Sequence, residues 1–423
     1  MMRLNSPVCS GFFVLTLLSA CSPFRFATHE VRSFATSRNH HSGFVLYDPD
    51  RKKTLAEVNG DRYFTPASNT KILTLYAGLT LLGDSVPALR YRISGDSLVF
   101  SGTGDPSFLN PDSWTGGAVL KLLSGFSGRL YMAPPGAVAS HFGPGWAWDD
   151  FDSYYQPERS ALPIYGNTIR VKGGTVVPSI FRDSVRMGLT AFGPFSREMN
   201  RNRFTLDPDR IRPQTIPFRV FPDTPARLLA DTLNRPVVML DKPLRGPTRI
   251  LKSVPADSLY KTMMQVSDNF IAEQIMMMAS MTISDTLDPQ PAIRQLLASE
   301  FKALPQRPVW VDGSGLSRYN QITPSSIVGI WEMLYKKIPR ERLFPMLAAT
   351  GRMGTMQNGF GGKPPFIFGK TGTLSNNYSL SGFLITAKGR LLIFSSMNAN
   401  FTVPVRTIRA DLEKILIRIH DEN

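Results

Sequence analysis

Three short motifs follow one another in a fixed order along this chain of 423 residues. They are Ser68-Asn69-Thr70-Lys71, Ser267-Asp268-Asn269 and Lys370-Thr371-Gly372. Ser-x-x-Lys and Ser-x-Asn each have other matches in the chain, whereas Lys-Thr-Gly occurs once. Each motif is weak alone, but their order is improbable as a coincidence and indicates one shared site.

The first motif has the spacing of a base-activated nucleophile. Three residues of helix put the amine of Lys71 on the same face as the Ser68 hydroxyl, one turn away. Apolar residues over 72–82 continue at helical spacing, so Ser68 lies at a helix start, where free backbone N–H groups stabilise an oxyanion. The other Ser-x-x-Lys, at Ser299, lies late in a helical stretch and is interpreted as solvated surface.

The first residues read as an export signal. A charged start precedes the apolar run 11–18, which is too short to span a bilayer as a helix. The sequence Leu-Ser-Ala before Cys21 resembles the bacterial lipobox, which implies removal of residues 1–20 and acylation of Cys21. An ordinary signal peptide containing a cysteine is the alternative. We expect a protein on the periplasmic side of the cell envelope, with a lipid anchor in the membrane.

The cysteine and histidine content limits the chemistry. Cys9 would leave with the signal, so no cysteine pair is left for a disulfide or a zinc cluster, and stability depends on the hydrophobic core. The five histidines lack helical pair spacing with a carboxylate, and no Gly-x-Ser-x-Gly elbow is evident. We therefore expect no metal and no cofactor, and a Ser-His-Asp hydrolase is disfavoured.

The formal net charge of +15 raises the question of an anionic partner. Lysine and arginine are dispersed, and no basic helix with interleaved aromatic residues stands out, so nucleic acid is not expected as a partner. A basic surface suits the anionic polymers of the cell envelope, while plain solubility explains the charge equally well.

The chain organisation predicts a mixed α/β (α+β) fold. Residues 21–92 and 247–423 are predicted to form one discontinuous domain with an antiparallel sheet flanked by helices. Residues 93–246 change to short pieces broken by Gly and Pro, which predicts an inserted, mainly β domain. Helices are predicted over 255–278, 292–304, 324–337 and 405–419, and strands over 43–48, 54–58, 366–373, 378–386 and 390–397.

The three ordered motifs match the active-serine signature of penicillin-binding proteins and β-lactamases. More narrowly, the chain resembles the class C low-molecular-mass penicillin-binding proteins, a D-alanyl-D-alanine carboxypeptidase/endopeptidase family with an inserted domain. This resemblance implies a penicillin-binding/β-lactamase-like serine transferase fold. The interval between Ser68 and Ser267 is shorter than in larger members, which leaves open how much of the insert is retained. Further similar segments are 102–106, 145–150, 272–273, 312–318 and 369–373.

The resemblance implies an acyl-enzyme formed with the stem peptides of peptidoglycan, with β-lactam antibiotics as inhibitors. Ser68 would attack the carbonyl carbon of the penultimate D-alanine, and Lys71 would take its proton. Ser267 and Asn269 would relay protons to the leaving amine and hold the substrate backbone.

The same resemblance gives roles to the third motif. Lys370 and Thr371 would bind the terminal carboxylate through charge and hydroxyl contacts. Gly372, without a side chain, would let substrate lie as an added strand. The backbone N–H groups of Ser68 and Thr373 would form the oxyanion hole.

Acidic and aromatic residues near position 150 have two interpretations. In the family, such residues contact the amine-bearing side chain of the stem peptide, which implies this role for Asp149, Trp146 and Tyr154. Alternatively, the aromatic residues close the inserted domain by burial. The turn at 312–315 is assigned no chemistry.

Two other functions remain open at this point. A β-lactamase-like hydrolase would share the motifs, but it leaves the insert unexplained and lacks an obvious deacylating glutamate. A non-catalytic lipoprotein that binds peptidoglycan would keep the fold, although all six key motif side chains are present. Acylation by a penicillin separates the catalytic and non-catalytic functions.

Overall fold

The computed structural model describes residues 24–112, 114, 117–191, 193–210 and 212–423, so Cys21 and the export signal lie outside the described residues. The helices are α1 (Arg25–Ser37), α2 (Lys71–Leu81), α3 (Gly117–Gly125), α4 (Thr224–Leu233), α5 (Ala256–Gln265), α6 (Asn269–Ser284), α7 (Pro289–Ala298), α8 (Pro324–Lys337), α9 (Arg340–Leu343) and α10 (Val405–Glu422). Within these described residues, no helix is long and apolar enough to cross a membrane.

The strands are short and fall into separate sheets. They are β1 (His41–Asp48), β2 (Lys53–Val58), β3 (Ser85–Ser94), β4 (Ser97–Gly102), β5 (Arg129–Met132), β6 (Ala137–Val138), β7 (Thr168–Lys172), β8 (Thr175–Val177), β9 (Val185–Met187), β10 (Phe195–Arg197), β11 (Phe204–Leu206), β12 (Gln214–Pro217), β13 (Val237–Met239), β14 (Arg249–Pro255), β15 (Thr286–Leu287), β16 (Ala348–Ala349), β17 (Ile367–Leu374), β18 (Asn377–Ile385) and β19 (Leu391–Ala399).

The main sheet joins the two ends of the chain. Its six strands run in the order β16-β17-β18-β19-β1-β2, and every neighbouring pair is antiparallel. The predicted C-terminal meander is therefore confirmed, and the N-terminal hairpin extends it through the pairing of β1 with β19. The third motif lies on β17, which places it near one edge of the sheet.

Both faces of the main sheet are covered by helices. Side chains alternate along a strand, so Phe383 and Ile393 face one core while Leu384 and Leu392 face another. The first core contains Trp331 of α8, whose ring centroid lies 5.3 Å from that of Phe383. The second core contains α1 and α10. The buried residues of α10 repeat at helical spacing, as the sequence predicts: Ile408, Leu412, Ile415, Leu416 and Ile419.

A second group of sheets is built from the middle of the chain. Its five-stranded sheet has the order β13-β5-β4-β3-β14, and three-stranded sheets form from β12-β7-β8 and β10-β11-β9. They share a separate core with α3 and α4. The predicted division between residues 92 and 93 falls within β3, and the division after 246 comes just before β14. Since β3 pairs with β14, the chain enters and leaves this sheet side by side.

The predicted helix over 255–278 is two helices. α5 ends at Gln265, and Ser267 has a φ of 65°, which is left-handed and interrupts the helix. The Asp268 side chain then accepts a hydrogen bond from the Ile271 N–H at 2.8 Å and caps α6. The second motif is therefore a helix start, like the first.

Candidate active site

The Ser68 hydroxyl lies at the start of a helix and faces a lysine. A single turn of 3₁₀ helix over Ala67–Thr70 leads into α2, with Ala67 held at a left-handed φ of 48°. Ser68 is partly exposed, whereas Lys71 is completely buried. The Lys71 amine donates to Ser68 Oγ at 3.0 Å, as expected for side chains one turn apart.

Two further oxygens hold the Lys71 amine. It donates to Asn269 Oδ1 of the second motif at 2.6 Å and to the Ser314 carbonyl at 2.6 Å. Asn269 in turn donates from Nδ2 to the Tyr155 carbonyl at 2.9 Å, so its amide orientation is fixed. The first two motifs therefore meet directly at this amine.

Burial changes the protonation of this lysine. It lowers the pKa of Lys71 to about 8, because removal from water disfavours the charged form. The carboxylates of Asp312, Asp268 and Glu273 act in the opposite direction and limit the decrease. With a pKa of about 8, about a tenth of the amine is neutral at pH 7, far more than for an exposed lysine, and a general base must be neutral when it acts.

The third motif meets the second through another buried lysine. Lys370 donates to Ser267 Oγ at 2.8 Å and to the Thr371 carbonyl at 2.8 Å. Burial and the charge of Lys71 lower the pKa of Lys370 well below its usual value. Among the described residues, no carboxylate forms an ion pair with Lys370. An anion at this position would favour its charged form.

Strand β17 passes directly beside Ser68. A Cβ on Gly372 would lie 2.9 Å from the Ser68 backbone nitrogen and 2.4 Å from Ser379 Oγ, so this close approach requires glycine. Thr371 donates to Thr355 Oγ1 at 2.7 Å, and the exposed Thr373 accepts a hydrogen bond from Arg409 through its hydroxyl at 3.2 Å.

Asn69 joins the helix start to the sheet, a role that the sequence analysis missed. Its Nδ2 donates to the Lys370 carbonyl at 3.1 Å and to Ser379 Oγ at 2.8 Å. Ser379 donates in turn to the Pro66 carbonyl at 2.7 Å. Asn69 is completely buried. A polar residue next to Ser68, at the start of a helix rich in apolar residues, is the sequence signal that could have identified it as a buried hydrogen-bonding group.

These groups open onto a cleft of about 1540 Å³ between the main sheet and residues 93–246, the predicted insert. Asp149 and Tyr154 line the cleft, and both are exposed. Trp146 is not among the lining residues, and its indole N–H donates to Asp312 Oδ2 at 2.9 Å. The motif residues that line the cleft are Ser68, Ser267, Asp268, Asn269 and Thr371, and Thr373, directly after the third motif, lines it too.

The turn at 312–315, to which the sequence analysis gave no chemistry, supplies an acceptor to the site. Its Ser314 carbonyl accepts a hydrogen bond from the Lys71 amine. A Cβ on Gly315 would lie 1.9 Å from the Ala67 carbonyl oxygen. The turn therefore packs against the residue before Ser68. The signal available in the sequence was Glu273, a carboxylate among the apolar residues of α6. A buried carboxylate needs polar partners, and the Ser314 N–H of this turn is one of them.

The described residues contain no cluster of three or more histidine, cysteine or acidic side chains able to hold a metal ion. The chemistry that can be built from this site uses a serine, two lysines and their hydrogen-bond partners.

Comparison with known proteins places this chain in a family. The chain matches the D-Ala-D-Ala carboxypeptidase 3 (S13) family over residues 32–180 and 229–418. It is 24% identical over 407 residues to the D-alanyl-D-alanine carboxypeptidase DacB of Haemophilus influenzae, covering 83% of this chain and 84% of that protein.

Solved structures show the same fold. Penicillin-binding protein 4 of Haemophilus influenzae aligns with a TM-score of 0.73 and 21% identity, over 92% of this chain and 98% of that chain. The same protein is also known in complex with a β-lactam. A predatory peptidoglycan endopeptidase from Bdellovibrio bacteriovorus aligns with a TM-score of 0.52 and 14% identity, over 90% and 93% of the two chains. The resemblance stated from the motifs is confirmed, and this chain belongs to the D-Ala-D-Ala carboxypeptidase 3 (S13) family.

Proposed function

We propose that Ser68 is the acylated nucleophile of a serine-type D-Ala-D-Ala carboxypeptidase/endopeptidase acting on peptidoglycan stem peptides, with β-lactams as inhibitors. The observation that carries this proposal is the contact between the buried Lys71 amine and Ser68 Oγ at 3.0 Å. A buried amine with a lowered pKa is the group that can accept the hydroxyl proton.

Acylation begins when Lys71 is neutral and Ser68 donates its proton to Nζ. Ser68 Oγ attacks the carbonyl carbon of the penultimate D-alanine and forms a new C–O bond with it. The substrate's carbonyl oxygen then becomes an oxyanion. The backbone N–H groups of Ser68 and Thr373 stabilise that charge. The C–N bond then breaks, and the departing amine receives a proton passed from Lys71 through Ser267. Water later hydrolyses the ester and returns the enzyme to its starting state.

The terminal carboxylate of the substrate binds at Lys370 and Thr371. This role is supported by the burial of Lys370, whose amine has only a hydroxyl and a carbonyl as acceptors among the described residues. A carboxylate there restores the charged form of Lys370, so substrate binding and lysine protonation are coupled. Asp149 and Tyr154, which line the cleft, contact the stem-peptide side chain, while the hydrogen bond from Trp146 to Asp312 favours an internal role for Trp146.

The protein also carries a lipid anchor at Cys21 in this proposal. The anchor follows from the lipobox-like sequence after the apolar run, with residues 1–20 as a signal peptide. It would hold the enzyme on the periplasmic side of a membrane, within reach of peptidoglycan.

Replacement of Ser68 should abolish covalent labelling. In Ser68→Ala, a fluorescent penicillin should leave no adduct by intact-mass analysis, because the acylated oxygen is missing. Ser299→Ala is the matched control, since Ser299 belongs to the other Ser-x-x-Lys and its exposed hydroxyl donates to the Gln295 carbonyl. An adduct that persists in Ser68→Ala would contradict the assignment, and absence of labelling in the parent would favour the non-catalytic alternative.

The acylation rate should rise with pH and level off above an apparent pKa of about 8. The sign follows because Lys71 accepts a proton only when neutral, and its neutral fraction grows as the pH rises through this pKa. Stopped-flow acylation by a fluorescent penicillin at a series of pH values measures the profile. Lys71→Ala should remove both the rise and nearly all of the rate. A flat parent profile would exclude Lys71 as the titrating base.

Lys370→Ala should impair recognition of the terminal carboxylate. The loss of a charge-assisted contact costs about 1.5–3 kcal/mol, or roughly 10- to 150-fold in kcat/KM. A peptide amidated at its C-terminus lacks the carboxylate, so the variant should handle free and amidated peptides almost equally. Parallel kinetics with the two peptides test this. An undiminished preference for the free acid in Lys370→Ala would rule out the role.

Cys21→Ser should release the protein from the membrane fraction, because acylation requires the cysteine sulfur. Cell fractionation followed by detergent partitioning measures the change, with Cys9→Ser as the matched control, which should stay in the membrane fraction. Detergent-dependent partitioning that persists in Cys21→Ser would exclude this anchor.

A further inference from the structure

Ser314, whose carbonyl accepts a hydrogen bond from the Lys71 amine, is itself held in place by buried groups. The Ser314 N–H donates to Glu273 Oε1 at 2.7 Å, and the preceding Gly313 carbonyl accepts from Thr74 Oγ1 at 2.6 Å. Ser314, Glu273 and Thr74 are all completely buried. The carbonyl that orients Lys71 therefore depends on the position of the Glu273 carboxylate.

The other oxygen of Glu273 pairs with an arginine of the inserted segment. Arg159 Nη1 lies 3.1 Å from Glu273 Oε2, and both side chains are almost completely buried. The guanidinium is fixed by donation from Nη2 to the carbonyls of Ser140 at 2.8 Å and Phe142 at 3.0 Å. A charge pair removed from water keeps its geometry strictly, since separation would leave each charge uncompensated.

Asp312 forms a second link to the insert. Its carboxylate accepts from the N–H groups of Gly315 at 2.8 Å and Ser317 at 2.7 Å, and from Asn320 Nδ2 at 2.8 Å. The fourth donor is Trp146 Nε1 at 2.9 Å. The Arg159 guanidinium lies over the Trp146 ring, 5.4 Å from its centroid. The two insert residues are therefore in contact with each other as well as with the two carboxylates.

The charges around Lys71 come from both parts of the molecule. Asp268, Glu273 and Asp312 favour its charged form, and Lys370 is a second buried lysine in the site. Arg159 lies behind Glu273 and compensates its charge. In a low-dielectric interior, such a connected set of hydrogen bonds fixes one arrangement.

We propose that Arg159 and Trp146 are positioning residues for Lys71. They hold the Glu273 and Asp312 carboxylates, which fix the turn whose Ser314 carbonyl orients the lysine amine against Ser68. This inference rests on the proposed function, because it requires Lys71 to act as the base. The inserted segment then contributes to the chemical step, in addition to forming one wall of the cleft.

The direct test is Glu273→Gln, which keeps the shape of the side chain and removes its charge. The saturating rate of acylation by a fluorescent penicillin should fall about tenfold or more, because small displacements of a catalytic group are costly. The penicillin dissociation constant should stay within about twofold. The rising limb of the pH profile should move to lower pH, because a charge that favours protonated Lys71 is gone.

Glu158→Gln is the matched control. Glu158 precedes Arg159 and is equally buried, but its Oε2 accepts from the Val220 N–H inside the insert, and it is not among the carboxylates that act on the pKa of Lys71. This variant should have the same saturating rate of acylation as the parent, and its rate should rise over the same pH range. Arg159→Lys, which retains a cation, should keep more of the saturating rate than Arg159→Gln.

Each rate is normalised to the fraction of protein that forms an adduct, which separates misfolding from loss of function. In one outcome, Glu273→Gln lowers only the fraction of protein that forms an adduct, while the enzyme that does react has the parent's saturating rate and the same pH dependence. In that case the positioning role is wrong. If Glu273→Gln does not fold, Trp146→Phe decides, since it removes one hydrogen bond to Asp312. A several-fold decrease in its saturating rate supports the proposal, and an unchanged rate overturns it. A parent that forms no adduct on Ser68 would instead overturn the proposed function.

Discussion

Burial of the Lys71 amine imposes most of the architecture around it. An amine removed from water needs oxygen acceptors, and three separate parts of the chain supply them: Ser68 on its own helix, Asn269 at the start of α6 and Ser314 in a turn. The same burial lowers the pKa of Lys71 and makes it a candidate base. The two helix starts and the turn must therefore keep fixed relative positions, and the buried Asn69 ties the first helix start to the main sheet.

The two buried lysines of the site differ in what surrounds them. Lys71 has three oxygen acceptors and the influence of three acidic side chains, which limit the decrease in its pKa. Lys370 has the Ser267 hydroxyl and the Thr371 carbonyl, and its pKa is lowered well below the usual value by burial and by Lys71. The motifs alone predict one lysine as a base and the other as an anion-binding group, and the surroundings of the two amines give that distinction a physical basis.

Short-range sequence patterns predicted those elements whose formation depends on residues close together in the chain. The meander, the last helix and the convergence of the three motifs follow from residue alternation, helical spacing and short motifs. Helix α1 was not predicted, and one predicted helix is interrupted at Ser267, whose left-handed φ has no signature in a serine. The pairing of Arg159 with Glu273 joins residues far apart in the chain, and neither side chain alone indicates its partner. For Trp146, both substrate contact and internal burial were left open by the sequence, and the structure shows its indole N–H donating to Asp312.

The neighbouring positions of β3 and β14 bear on how the size of the insert can vary. Ser85 pairs with Pro255, so the excursion of the chain starts and finishes at one place, whatever its length in between. Lengthening or trimming its distal part leaves the distance between the segments that carry the three motifs unchanged. Residues 181–228, which lie outside the family match, belong to that distal part, whereas Arg159 does not. The outer portion can therefore vary in length without moving the strands that carry it, although residues 195 and 212–215 within it line the cleft. The portion that carries Arg159 instead contacts Glu273, the carboxylate beside the lysine.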